Sequence, residues 1–393
     1  MKVPATGSDA GEAFQRTSYF TALDCLRAVS ILLVLLHHVP PLPAGSLWRT
    51  LQENGRYGVA FFFAISGFLI CTLFLREERR TGRVQLAKFY GRRAVRLLPL
   101  YYVVLALQAA LVFGAHQYTP ENQELFRAKL PAYLAYYANW LPTATAGPFF
   151  CAWSLAAEEQ FYLVFGLLFV LVRRRALVGV AAGALLLKAA VYAAFGNVDT
   201  LSPWWRVIFS YQEAILWGVL LAFALDDCAG RRSLTRWLGS RWLLAGASLA
   251  AAVWLVIHPM SGQSSWDAQL LFVLMTAVIA GLVLRPAPPG FGGGLLVHVG
   301  RISYGIYLLH MFVISAVKKL PSGTSPVVCL AVSTVVVVLL ASVVHRWFER
   351  PIIERCKQRL SPALSSPPRP APPEASSGFP LPAVALPPGH RTK

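Results

Sequence analysis

Apolar runs recur along nearly the whole chain, and each reaches the roughly 17–25 residues that carry a helix across a bilayer. Inside hydrocarbon every backbone N–H and C=O must be satisfied by the protein itself, so runs of this length are predicted to be helices. Ten are predicted, at about 22–40, 57–75, 97–115, 151–172, 176–195, 206–225, 242–258, 268–284, 302–319 and 326–345. The expectation is an all-α, polytopic transmembrane helical bundle. Composition agrees, with 56% hydrophobic and only 14% charged residues, where a soluble domain is nearer a quarter charged.

A net charge of +18 would fit nucleic acid if it formed one face. It does not. The basic residues sit in short clusters between apolar runs, as topology signals do, and no nucleic-acid partner is expected. With the N-terminus placed inside, 27 Lys and Arg fall on the inner side and 7 on the outer side, so both termini are expected in the cytoplasm. Lys318–Lys319 is the one local dissent. The six cysteines lack metal-ligand spacing and read as small reduced hydrophobes, and no metal is expected. The first apolar run starts late, carries charges and has no cleavage pattern after it, unlike a signal peptide. Three segments are expected: a cytoplasmic N-terminal segment 1–21, a membrane domain 22–355 and a disordered Pro-rich cytoplasmic tail 356–393. Residues 116–150, with "LFRAKLPAYLAYYANWLP", are too polar to span and are expected to lie at the interface or re-enter.

The first run, "LDCLRAVSILLVLLHHVP", carries Asp24, Arg27, His37 and His38. At about 100° per residue, Arg27 and His38 fall within about 20° of one another, about 16 Å apart along the axis. His37 points about 100° off that stripe, and Asp24 can pair with Arg27 at i,i+3. Charged groups inside spans are costly and face a bundle interior or a cavity. A neutral imidazole suits general-base work on a hydroxyl, and a guanidinium suits phosphate or oxyanion contacts. The same residues also fit anchors at the two membrane surfaces.

Other polar islands follow. Ser66 and Gly67 sit mid-span in "FFFAISGFLI", where small residues allow close helix packing and Ser66 has the option of lining a cavity. Arg92, Arg93 and Arg96 cluster in "KFYGRRAVRLLPLYY", fitting either anionic lipid or a phosphate-bearing cytosolic ligand. Glu158 and Glu159 in "WSLAAEEQFYL" need partners, with Arg or His on another helix the expected ones. Lys188 and Glu213 are further intramembrane charges that can pair. "RISYGIYLLH" brings Tyr304, Tyr307 and His310, residues that fit either core packing or a site. Pro351 in "HRWFERPII" is expected to end or redirect the last helix. No Walker or dinucleotide glycine signature and no paired-histidine zinc motif appears, so any chemistry is built from dispersed helix residues.

Together these islands resemble the acyltransferase-3 family of membrane acyltransferases. "LDCLRAVSILLVLLHH", "FFAISGFLI", "GRRAVRLLPLYY", "WSLAAEEQFYL", "ISYGIYLLH" and "FERP" follow in the family's order from about Leu23 to Pro351. Two departures stand out: Cys25 where glycine is usual, and Ala60 in "GVAFFF" where an acid, commonly Asp, is usual. Some members carry a further C-terminal hydrolase-like domain, and here the Pro-rich tail takes that place. The resemblance implies transfer of an acyl group, often acetyl, from a cytosolic acyl-CoA (acetyl-CoA first) to a hydroxyl of a surface carbohydrate, glycolipid or related natural product. It implies Arg27 and His38 as the catalytic pair, with Glu158 a further candidate, and Arg92, Arg93 and Arg96 as the donor-binding cluster. Ser66, Tyr304 and His310 are the candidates for lining the substrate cavity. The expected place is a bacterial inner (cytoplasmic) membrane, among lipids. A transporter of an anionic or lipid-linked solute is the rival class, because transporters also bury charges. Inverted repeats would favour it, and none is evident. A non-catalytic binding relative is the third.

Overall fold

The computed structural model describes residues 14–15, 17–114, 118–141, 147–195, 202–258, 265–285, 294–319 and 324–360. Most of the expected tail and N-terminal segment therefore lies outside the described residues. Among the described residues the secondary structure is helical, with no strand.

Nine of the ten expected runs coincide with a helix, and the run expected at 206–225 is broken between Ile208 and Glu213. Helix α1 is Thr21–His38; α2 (Leu47–Asn54) leads through a 3-10 turn, Gly55–Tyr57, into α3 (Gly58–Thr81). Then come α4 (Leu86–Phe113), α5 (Pro120–Leu134), α6 (Ala152–Leu171), α7 (Arg174–Phe195), α8 (Pro203–Ile208) and α9 (Glu213–Asp226). The remainder is α10 (Cys228–Leu238), α11 (Arg241–Ile257), α12 (Ser265–Val283), α13 (Leu295–Arg301), α14 (Ser303–Val317), α15 (Pro326–Val344) and α16 (Arg350–Leu360).

By length and apolarity seven of the described helical stretches can cross a membrane, and nine can if α10–α11 and α13–α14, bent by 78° and 81°, each count as one. Helix α12 falls short because its apolar stretch is only Asp267–Val283, about 25 Å at the helical rise against about 30 Å of hydrocarbon. Large apolar side chains stay exposed around the outside, among them Leu171, Leu186 and Leu339. That surface suits lipid rather than water.

Small residues set the closest packing. A Cβ on Gly67 would run into the Ile215 carbonyl, and one on Gly218 into that of Ala64, so α3 and α9 meet backbone to backbone. Gly300 likewise presses α13 onto the Asp24 backbone of α1. Both readings of "ISG" therefore hold at once: Gly67 packs, while Ser66 lines a cavity.

Pro351 does not end the last helix. A π turn, His345–Glu349, joins α15 to α16, and the helical stretch runs on to Leu360, through the expected start of the tail at 356. Pro351 stands near the start of α16, just past the wide turn. A wider turn relieves the proline's missing N–H and the clash of its ring with the preceding turn. The His345 Nδ1 to Glu349 Oε2 contact, 2.7 Å, bridges that turn.

Candidate active site

Three adjacent cavities share walls, and the second and third are lined by α1. The first, about 570 Å³, is basic: Arg92, Arg93, Arg96 and Arg301 line it with Tyr304 and Glu349. The second, about 90 Å³, is lined by Arg27, Ser66, Arg93, Arg96, Glu158, Tyr304 and Tyr307, among others. Arg93, Arg96 and Tyr304 thus belong to both. The third, about 400 Å³, is lined by His37, His38, Arg56, Lys129, Asn139 and Trp153, and it shares Val59 and Tyr307 with the second. The structure therefore brings Arg27, Ser66, Arg92, Arg93, Arg96, Glu158, Tyr304 and His38 onto the walls of three adjacent cavities.

Asp24 is buried, at 2% exposure, and holds the Arg27 end. It accepts from Arg27 at 3.4 Å, pairs with Arg301 at 3.7 Å and accepts a hydrogen bond from the Tyr19 hydroxyl. The i,i+3 pair expected from the sequence forms, and a second arginine from α13 joins it because Gly300 lets that helix come close. A carboxylate between two guanidiniums leaves net positive charge facing the middle cavity.

Glu158 meets hydroxyls where a cation was expected. Ser66 and Tyr162 both donate to its Oε1. Arg93, which shares the cavity and interacts electrostatically with Glu158 and Glu159, stacks on the Tyr162 ring at 4.0 Å, and its Nε is buried with no hydrogen-bond partner among the described residues. One turn of α6 separates Glu158 from Tyr162, so the helix itself brings in the hydroxyl that replaces an ion pair. The other intramembrane charges do pair: Lys188 Nζ lies 2.9 Å from Glu213 Oε2 and donates to the Tyr211 carbonyl at 2.7 Å.

At the far end the three imidazoles are pinned by backbone. His38 Nδ1 lies 2.8 Å from Val34 O, His37 Nδ1 lies 3.0 Å from Gln52 O and His310 Nδ1 lies 2.5 Å from Tyr307 O. A carbonyl oxygen only accepts, so each Nδ1 carries the proton, and on a neutral ring Nε2 keeps its lone pair. His310 is fully buried with its ring 4.9 Å from that of His38, and its Nε2 has no hydrogen-bond partner among the described residues. It supports His38 from behind rather than standing among the residues that line the three cavities. His37, although about 100° off the stripe, lines the same cavity as His38. The cavity wraps the helix end, where α5 and the following 3-10 turn Ala138–Trp140 close over it.

Sequence reading missed Tyr307 as the joint of the path. Its hydroxyl lies 2.6 Å from Ser154 Oγ and donates to Cys151 O at 3.2 Å. Its position midway between Tyr304 and His310, three residues from each, was a usable signal. Lys129 and Asn139 come from the stretch expected to lie at the interface. Tyr101 and Tyr102 hold that stretch down by donating to the Tyr133 and Leu134 carbonyls, at 2.8 and 2.9 Å.

Comparison with known proteins gives this constellation a context. Residues 20–347 match the acyltransferase-3 family model, described as an acyltransferase domain. The chain is 27% identical over 368 residues to the protein named "Putative O-acetyltransferase SACOL0978" of Staphylococcus aureus strain COL, covering 86% of this chain and 58% of that protein. It is 26% identical over 364 residues to O-acetyltransferase OatA of Staphylococcus aureus strain NCTC 8325, covering 85% of this chain and 57% of that protein. The chain thus spans a little over half the length of the curated relatives it matches. No solved structure matches.

Proposed function

Because this chain belongs to the acyltransferase-3 family, we propose that it carries an acyl group, acetyl first among candidates, from a cytosolic acyl-CoA to a hydroxyl of a carbohydrate or glycolipid. The single observation that carries this reading is the row of adjacent cavities, sharing wall residues, from the arginine cluster past Arg27 to His38. Two substrates that meet from opposite sides of a membrane need such a path.

Arg92, Arg93 and Arg96 line the widest basic cavity and hold the phosphates of the donor. Arg27, fixed by Asp24, lines the narrow passage and orients the donor along it, so that the thioester reaches the His38 cavity. Ser66 and Tyr162 keep Glu158 in place on the wall of that narrow passage. His38, with Nδ1–H on the Val34 carbonyl, takes the acceptor's proton on Nε2. The acceptor oxygen forms a bond to the acyl carbon, the carbon–sulfur bond breaks, and coenzyme A leaves as thiolate toward the basic cavity. The proton held on His38 returns to solvent or to the thiolate.

In this reading the bundle makes ten crossings with both termini in the cytoplasm. The 27-to-7 bias of basic residues supports that orientation. In that orientation the arginine end lies at the inner face of a bacterial cytoplasmic membrane, with segments 1–21 and 356–393 on the cytoplasmic side.

Membranes carrying wild type or His38→Ala, supplied with radiolabelled acetyl-CoA, test it. Label is expected in the carbohydrate or lipid fraction with wild type only, with coenzyme A released in step. Transfer undiminished by His38→Ala in an inserted protein overturns the assignment of the base. Absence of transfer and of coenzyme A release with any acyl-CoA overturns the enzyme reading in favour of transport.

A further inference from the structure

A fourth cavity, about 570 Å³, lies outside the path, between α6, α7, α8 and α9. Its volume falls in the usual range for small-molecule sites. Its walls are almost wholly apolar, with Phe165, Leu168, Leu177 and Ile215 deep inside. Leu163, Val164, Val180 and Ile208 line it and are themselves exposed, so it opens sideways toward lipid.

Its polar groups gather at one end: Gln160 on α6 and the stretch Ser210–Gln212. From Gln160 to Leu168 the apolar part runs about 12 Å down α6. The polar end is built into the fold. Between α8 and α9 the backbone leaves the helix within the stretch Trp204–Asp226, which is otherwise a membrane span. Irregular backbone at membrane depth is tolerated only where it is buried in protein or lines a cavity. Here Lys188, 4% exposed, donates to the Tyr211 carbonyl and is matched by Glu213 on the next turn of chain. The Tyr211 hydroxyl donates back to Ala184 O at 2.6 Å. A buried ion pair therefore holds open a polar rim on an apolar slot.

That rim abuts the histidine cavity. Asn139 lines the His38 side and Gln160 the apolar side, and the two side-chain amides bond to each other twice, at 2.9 Å each. On the same 3-10 turn Ala138 faces the His38 cavity and Trp140 the apolar one. One amide pair is the partition between a slot for hydrocarbon and a cavity holding the candidate base. We propose that this slot takes the hydrocarbon anchor of a lipid-linked acceptor, entering from the bilayer, so that its hydroxyl-bearing head crosses the Asn139–Gln160 pair to reach His38. The inference rests on the acyl-transfer reading and narrows its acceptor to an amphiphile.

The test uses the full chain in phosphatidylglycerol nanodiscs and a dodecyl β-D-glucoside with a diazirine at the end of its tail. Photolabelling is expected on α6 and α7 around Val164–Leu168 and Val180–Ala184. Unlabelled dodecyl glucoside at ten times its Kd should lower it about tenfold. Ala184→Phe, with Val180→Trp as the alternative that fills the slot from its exposed rim, should abolish it in an inserted protein. Equal labelling by a diazirine-tailed phosphatidylglycerol, with no competition by the glucoside, means ordinary annular lipid and overturns the proposal. So does labelling that survives both substitutions, or a second copy of the chain found covering this face. Labelling needs no turnover, and acetyl transfer to water-soluble methyl β-D-glucoside is measured alongside. No labelling of the wild type, with that transfer present, overturns the anchor site alone. Labelling retained with no transfer to either glucoside overturns the acyl-transfer reading and leaves a lipid site without it.

Discussion

The two ends of α1 are built from opposite materials. At the Arg27 end charge is held by charge and by hydroxyls: Asp24 between Arg27 and Arg301, Glu158 under Ser66 and Tyr162, and Arg93 over an aromatic face. At the His38 end no carboxylate bonds His37, His38 or His310 among the described residues, and backbone carbonyls of Gln52, Val34 and Tyr307 fix those rings. An imidazole against a carboxylate is drawn toward the charged form, whereas one donating to a carbonyl is oriented and keeps a free lone pair. One end is therefore suited to hold an anion, the other to accept a proton. The same helix separates those tasks by about 16 Å.

Mutants that fail in different ways sharpen that contrast. The largest effect is expected from His38→Ala. Loss of a general base lowers kcat by about 10²–10⁴, while the KM for acyl-CoA stays near wild type. A raised KM with kcat intact would make His38 a binding residue and erase the contrast. Arg27→Lys should come next. It keeps the charge but loses the guanidinium contact to Asp24 at 3.4 Å. A fall in kcat/KM of about tenfold to a hundredfold is expected, read from acyl-CoA saturation curves, with part of it in KM. Asp24→Asn should act through its neighbours. Removing the buried anion leaves Arg27 and Arg301 facing each other, which costs about 2 kcal/mol of stability, less than a fully buried pair because Arg301 keeps 48% of its exposure. A thermal melt in detergent reads this, and an unchanged melting temperature would show that the pair is idle. His37→Ala should be mildest, below about tenfold in kcat, because its ring stands about 100° off the stripe that carries Arg27 and His38. A loss equal to that of His38→Ala would mean that the two imidazoles share the work.

Much of the bundle was legible in the chain, because hydropathy and the 100° step of a helix are local properties. The alignment of Arg27 with His38, the Asp24–Arg27 pair and the pairing of Lys188 with Glu213 need only spacing and charge. Pro351 was misread for a local reason too: a proline predicts a break, but a π turn before it lets the helix continue. The expected arginine does stand near Glu158 and Glu159, as Arg93, but sequence does not say that Tyr162, one turn on, and Ser66, from another helix, take the direct bonds to Glu158 Oε1.

By itself the sequence determined the membrane-spanning character, the positions of the helices and the stripe on α1. It did so because burying an apolar run and satisfying its backbone leave a helix as the solution wherever that run occurs. Only the tertiary structure decided that Tyr307 and Val59 join the two halves of the path, that His310 backs His38, and that His37 reaches the same cavity. It alone set one amide pair between that cavity and an apolar slot. These depend on how far helices slide and turn against each other. Close backbone contacts at Gly67, Gly218 and Gly300 set that phase, and their partners lie far away in the chain.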